Sequence, residues 1–568
     1  MSHSTGSPGT GPGAGAGPSA GAGPSAGAGA AGAATAAKAG SVVLVILAAG
    51  QFLMTLDSSV MNVSIKSVAN DLGTTVTGIQ TAITLYTLVM AAFMITGGKL
   101  GVILGRKRAF SIGLVVYACG SLTTALAPNL VVLIIGWSVL EGLGAALIMP
   151  AVVALVASNF GRADRPRAYG LVASAGAIAV AAGPLIGGLF TTYLSWRYVF
   201  VGEVLAVVVI LVLARRMADT PPVAGTRLDL VGTALSALGL GLAVYGVLRA
   251  GSWGLVSPKP DAPRWLGLSP AIWLILAGGV VLLGFVEWER RRIDRGQAAL
   301  LDPAILRVRN LQGGLFAFFF QYLAQAGMFF AVPLFLSVVL GLSAIATGVR
   351  LLPLSATLLL AAVGVPRLFP RASPRRVVRI GFLLLFAGMV VMIAGLEAGA
   401  GANIVTWPML LAGLGIGALA SQLGAVTVSA VPDEQSGEVG GIQNTVTNLG
   451  ASIGTALAGA VLISVLTTSF LTGVQANAAI PAQLSSKAQV ELSSGVPFVS
   501  DADLGTALAK QGITGDTAAA IVDENEKARL TALRAALAVL AALTLVALFF
   551  TRRLPTVPPA GADEAAGA

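Results

Sequence analysis

Three carboxylates of this chain stand where a carboxylate is costly. Asp57 lies in Leu56-Asp57-Ser58-Ser59-Val60-Met61-Asn62-Val63, Glu141 in Leu140-Glu141-Gly142-Leu143-Gly144, and Glu203 in the apolar run that begins near Val199. An ionised Asp at a bilayer centre costs about 2.5–3.5 kcal/mol even on the lenient insertion scale. Asp57, sixteen residues into its run, must therefore face a cavity or carry a proton. Reversible proton binding is the chemistry open to it; the structural alternative is an acid held by Ser58, Ser59 or Asn62. Glu141 sits among small residues that allow close helix approach, either as a second proton site or as a structural acid bonded to a neighbour. Glu203 falls about one turn from a helix end, where water reaches, and reads as structural. Arg350, in Gly348-Val349-Arg350-Leu351-Leu352-Pro353, is a cation inside a helix. It calls for a carboxylate partner, with Asp57 or Glu141 expected across a cavity. Asn62, Gln321, Gln325, Gln422, Gln443, Asn444 and Asn448 either line a substrate route or bond between helices.

These side chains need a scaffold that places them in a membrane. Of 568 residues, 56% are hydrophobic and 11% charged, against about a quarter charged in a soluble domain. Apolar runs fall near 41–64, 79–98, 109–128, 130–151, 168–190, 199–215, 229–249, 271–288, 313–338, 344–366, 378–396, 403–425, 439–466 and 530–551. Each approaches the twenty or so residues that cross a bilayer core, and lipid-exposed backbone must satisfy itself within a helix. An all-α polytopic membrane protein of fourteen helices is expected. An even number puts both termini on one side. With that side cytoplasmic, inner loops hold 23 of the 35 Lys and Arg residues, against 10 in outer loops or at their helix ends, as the positive-inside rule asks. The net charge of +10 is then topology, and no nucleic-acid partner is implied.

Residues 1–40, almost wholly Gly, Ala, Ser, Pro and Thr, read as a disordered cytoplasmic tail. Residues 41–215 form one six-helix half, 216–312 two inserted helices with their loops, and 313–551 a second half carrying a large outer loop at 467–529, read as a small external helical cap. Residues 552–568 return to the cytoplasm. A weak repeat supports the halves: Gly97-Gly98-Lys99-Leu100 and Gly183-Pro184 have counterparts at Gly364-Val365-Pro366-Arg367 and Gly450-Ala451, about 267 residues later. Repeated halves place a site near the midplane. Gly98, Gly105 and Arg106 at one turn, and Gly183, Pro184, Gly187 and Gly188 on the fifth helix, are candidates for gating and helix packing. The single Cys119 and single His3 exclude a disulfide framework and a His metal cluster. Without a P-loop, dinucleotide fingerprint, metal spacing or nucleophile elbow, neither an enzyme, a cofactor nor ATP-driven work is expected.

At these residues the chain resembles the fourteen-helix drug:proton antiporter branch of the major facilitator superfamily, the EmrB/QacA-like group, over about 41–551. Asp57-Ser58-Ser59-Val60-Met61-Asn62-Val63 is similar to the family's first-helix pattern Asp-x-Thr-(Ile/Val)-Val-Asn-Val, whose acid is implicated in coupling or cation recognition. Gly183-Pro184-x-x-Gly187-Gly188 resembles the helix-five antiporter motif, with Ala179 where a further Gly is usual. Trp196-Arg197-Tyr198-Val199-Phe200 resembles the Trp-Arg-x-x-Phe that follows it, and Leu228-Asp229-Leu230-Val231-Gly232 the start of the inserted pair.

Two departures stand out. Gly98-Lys99-Leu100-Gly101-Val102-Ile103-Leu104-Gly105-Arg106-Lys107 puts Val102 where the family's acid makes a charge contact that holds the cytoplasmic side closed, which implies a weakened inner gate, altered cycling or an impaired protein. Ser138-Val139-Leu140-Glu141-Gly142 replaces Arg-x-x-Gln-Gly, so a basic relay residue is missing and an acid has appeared one turn along. The resemblance implies the major facilitator fold and a monomeric antiporter in a bacterial plasma membrane. It would export a small amphipathic drug or antibiotic against entering protons, with the gradient as its energy source. A lipid or lipid-precursor transporter of the same fold, and a non-transporting sensor or assembly partner, are the alternatives.

Overall fold

The computed structural model describes residues 26–557 apart from 75, 218–226, 260–261, 492–495 and 497. The first half holds α1 (Ala26–Asp71), α2 (Val76–Leu104), α3 (Arg106–Ala125), α4 (Leu130–Asn159), α5 (Arg165–Tyr193) and α6 (Arg197–Ala214). The inserted pair is α7 (Leu230–Trp253) and α8 (Pro270–Asp294). The second half holds α9 (Arg309–Leu334), α10 (Ala344–Leu368), α11 (Pro374–Gly395), α12 (Thr406–Val428) and α13 (Ser436–Ala476). Two short helices, α14 (Ala482–Glu491) and α15 (Asp501–Lys510), precede the last span, α16 (Gly515–Phe550). Among the described residues, fourteen helices are long and apolar enough to cross a membrane.

Two sequence expectations need adjusting. Residues 26–40, read as tail, continue α1, because Ala-rich sequence propagates a helix once a buried span has nucleated it. Residues 1–25 and 558–568 lie outside the described residues. Helices also overrun the apolar runs: α4 reaches Asn159 and α13 reaches Ala476, since a helix continues past the bilayer wherever packing supports it. The outer segment 467–529 is largely helical, with α14, α15 and the start of α16 capping the second half. Arg529, wholly buried, fastens that cap by donating to Val499 O at 2.7 Å and Asp501 Oδ1 at 2.5 Å.

The halves are built alike. In the first, α5 lies against α1 at Gly183 and Gly187; in the second, α13 lies against α9 at Gly450 and Gly454. A side chain at any of these would run into the facing helix, which is the close approach small residues permit. The halves meet along two seams, α5 on α10 and α12, and α2 and α4 on α13. The inserted pair rests on α2 and α13 and so covers the second seam. Only 17% of the apolar window of α8 is buried, against 83% for the span containing α12, which puts the pair at the rim and α12 at the centre.

Candidate functional site

The acids come together. Asp57 from α1, Glu141 from α4 and Glu203 from α6 each bring a carboxylate oxygen within 4.8 Å of the others, and none is more than 2% exposed. Glu203 is therefore not the water-exposed structural acid its helix position implied. α3 covers it, with Tyr117 Oη donating to Glu203 Oε2 at 3.2 Å and Ser121 Oγ at 3.1 Å. Thr124, on the same face of α3, donates to Glu141 Oε1 at 3.2 Å. Residues 117, 121 and 124 follow the i, i+4, i+7 spacing that lines one helix face, a hydroxyl ladder that the apolar-run reading passed over.

The backbone makes room for this cluster. The segment Ile134–Glu141 of α4 is a π-helix, a wider turn that is frequent at functional sites. A Cβ at Gly120 would stand 2.5 Å from Glu141 Cγ, and one at Gly136 2.7 Å from Thr124 Oγ1, so both glycines are spaces the site occupies. Ser138, where the family has Arg, donates to Ala82 O of α2 at 2.8 Å and serves packing. Trp137, one residue before it, stacks on Tyr86 with ring centroids 5.0 Å apart. It aims its indole N–H at both Asp57 oxygens, at 2.8 and 3.0 Å.

Among the described residues no Lys or Arg forms an ion pair with the three acids. Arg350 was expected here and is elsewhere. It donates to Asn403 Oδ1 at 2.6 Å, because Arg350 stands near the start of α10 and the loop before α12 folds back onto it. Two ionised carboxylates 4.8 Å apart repel by about 3.5 kcal/mol at an effective dielectric of about 20. The pocket as built thus suits a single negative charge, with protons on the remaining acids.

The side chain of Asn62 lies outside the described residues. Gln321 and Gln325 on α9 each keep a buried amide oxygen without a partner, so they have acceptor capacity to offer. The others are committed to the scaffold: Gln422 to Ser421, Gln443 to Thr427, Asn444 to Gly440 O and Asn448 to Asn444 O.

Gly183 and Pro184 act as one device. Proline has no N–H to give the carbonyl four residues back, which is Val180 O. Ser59 Oγ of α1 donates to that oxygen at 3.3 Å, and the bare Gly183 admits Ser59. Gly183→Val should wedge α1 from α5, destabilising the protein by about 1–3 kcal/mol and lowering transport. Thermal unfolding of purified protein checks the first, and unchanged stability would show that the contact is slack.

A contact between the halves lies at the end of the bundle that carries the basic loops. Lys99 Nζ of α2 meets Glu438 Oε1 of α13 at 2.7 Å, with side chains 8% and 11% exposed. Gly98 and Gly437 let the two backbones touch, and Val102 faces Gly437. This ion pair stands one turn before Val102, with the basic residue on α2 and the acid on α13. Gly105 takes φ 96°, open to glycine, and turns the chain straight from α2 into α3. Arg106 donates to Ala154 O of α4 at 3.3 Å. Gly188 follows Gly187 on the same α1-facing helix.

A second feature is a cleft of about 660 Å³ where α7, α8 and α13 meet, lined by aliphatic side chains such as Val247, Ile272, Ile453 and Leu457, with Ser464 and Lys259 among its polar groups. Its size is that of a drug-sized ligand site.

Two six-helix halves, a rim pair and buried intramembrane acids define a polytopic membrane transporter. Residues 47–455 match the family model of the Major Facilitator Superfamily, and the chain belongs to that superfamily. It is 31% identical to the puromycin resistance protein pur8 of Streptomyces alboniger over 73% of this chain and 80% of that one. The multidrug efflux pump LfrA of Mycolicibacterium smegmatis is 28% identical over 90% of this chain and 96% of its own. The probable actinorhodin transporter of Streptomyces coelicolor is 28% identical over 81% and 77%. The human organic anion transporter MFSD10 superposes over 90% of this chain and 99% of its own, with a TM-score of 0.54 at 13% identity, a likeness of fold.

Proposed function

We propose that the protein is a proton-coupled antiporter exporting amphipathic drugs or antibiotics across a bacterial plasma membrane, with both termini in the cytoplasm. The observation that carries the reading is Asp57, wholly buried in α1 with an indole N–H, the Tyr86 side chain and two further acids around it and no basic partner among the described residues. A carboxylate so placed is stable when it gains and loses a proton as it changes surroundings. The export of drugs rests on the relatives, whose names describe resistance and efflux. The aliphatic cleft beside α13 suits cargo that partitions into the bilayer. Gln321 and Gln325 offer polar contacts, and Glu141 a further titratable group. The proton gradient is the energy source, with no cofactor, no enzymatic step and a monomer as the working unit.

Everted vesicles containing the protein should accumulate a fluorescent cationic dye when an inside-acid gradient is imposed, and release it when a protonophore collapses the gradient. Accumulation that persists without the gradient would overturn the proton-coupled reading.

A further inference from the structure

The three acids differ in which oxygens are engaged. Trp137 holds both oxygens of Asp57. Glu203 Oε2 accepts from Tyr117 and Ser121, and Glu141 Oε1 from Thr124. Glu203 Oε1 and Glu141 Oε2 are buried without a partner, and the hydroxyl of Tyr86, a residue 3% exposed, lies beside Asp57. The two unpaired oxygens are the ones free to pass a proton between neighbours. Glu203 is six residues from the start of α6 at Arg197, about 9 Å along the axis at 1.5 Å per residue, on the side away from the basic loops. Asp57 lies deeper. The titratable groups facing one another here are Asp57 from α1, Tyr86 from α2, Tyr117 from α3, Glu141 from α4 and Glu203 from α6.

Resting on the antiporter reading, we infer that Glu203 and Glu141 form a proton relay that connects Asp57 to the side of the membrane opposite the basic loops. With Asp57 ionised and both glutamates protonated, the proton on Glu141 Oε2 moves to Asp57, the proton on Glu203 Oε1 refills Glu141 Oε2, and a proton from the side opposite the basic loops refills Glu203. One proton is delivered per passage, and Glu203 and Glu141 each return to their starting state. The hydroxyl face of α3 fixes the other oxygen of each glutamate, so the transferring oxygens stay turned inward. The relay takes over the place left by the basic residue replaced by Ser138.

The test compares two rates in proteoliposomes for the wild type and Glu203→Gln: dye uptake driven by a pH gradient, and exchange of labelled for unlabelled dye at equal pH, which moves no net proton. Glu203→Gln should lower driven uptake at least tenfold while exchange falls much less, and Glu203→Asp should recover part of the driven rate. Tyr117→Phe, which removes one of the two donors to Glu203 Oε2 while keeping the acid, should slow driven uptake by a smaller factor if Glu203→Gln does not fold. Driven uptake at the wild-type rate in Glu203→Gln would overturn the relay, as would an equal loss of both rates in folded protein. A wild type without any gradient-driven uptake would instead remove the antiporter reading itself.

Discussion

Asp57→Asn is expected to bring gradient-driven dye accumulation down to that of vesicles lacking the protein, while the purified variant unfolds within a few degrees of wild type. The two expectations follow from different parts of the same geometry. Asparagine matches the shape of aspartate, and its amide oxygen still accepts from Trp137 Nε1, which sits 2.8 Å from Asp57 Oδ1. The stacked Tyr86–Trp137 pair and the π-turn of α4 therefore keep their supports. A hydrogen bond of this kind contributes about 1–3 kcal/mol, and most of it survives the change. Asparagine, however, does not take up and release a proton in the working pH range, so the charge change at the end of the relay disappears. Asparagine also spares the site the cost of a buried charge, which argues against any large loss of stability. Undiminished gradient-driven accumulation in Asp57→Asn would remove Asp57 from the coupling step and leave Glu141 as the next residue to test.

The fold was legible because its determinant is local. Twenty apolar residues must span, and clustered arginines mark one side, so helix number and order follow from hydropathy and charge. Helix ends were less legible: past the bilayer, α4 and α13 continue on packing that no single segment encodes. The site was legible in part for the same reason. Asp57 and Glu141 announce themselves as acids in apolar helices. Glu203 was misplaced because its depth was counted along its own helix, whereas its burial comes from Tyr117 and Ser121 of α3. Arg350 was paired with the wrong group because nothing in its own run shows that the loop at Asn403 returns to it. Trp137 carries no charge to draw notice, yet it is the donor that orients Asp57. The pair between the halves had no signal at all, since 339 positions separate its members.

That pair carries the second large effect. Glu438→Ala should open the basic-loop end of the bundle, seen as a longer distance between spin labels at the exposed positions Ala163 and Arg371. Lys99 and Glu438 are nearly buried and 2.7 Å apart, and deleting one partner of a buried pair costs about 3–5 kcal/mol because the other charge remains without compensation. The penalty falls on the arrangement in which α2 and α13 touch. A shift of about 3 kcal/mol moves a two-state population by roughly 100-fold, enough to turn a closed end into an open one and to slow a cycle that must pass through both. Lys99→Glu alone should open it further, since two acids would then share the contact. The double reversal, Lys99→Glu with Glu438→Lys, should bring most of the closed population back. Recovery should be incomplete for a reason visible in the sequence: Glu438 stands in the first turn of α13, where the helix dipole favours an acid over a lysine by about 0.3–1 kcal/mol. Unchanged label distances in Glu438→Ala would mean that backbone contact at Gly98 and Gly437 holds this end without the charges. A closed population restored by the double reversal would show instead that the lock missing at Val102 has moved one turn along α2 and changed sign.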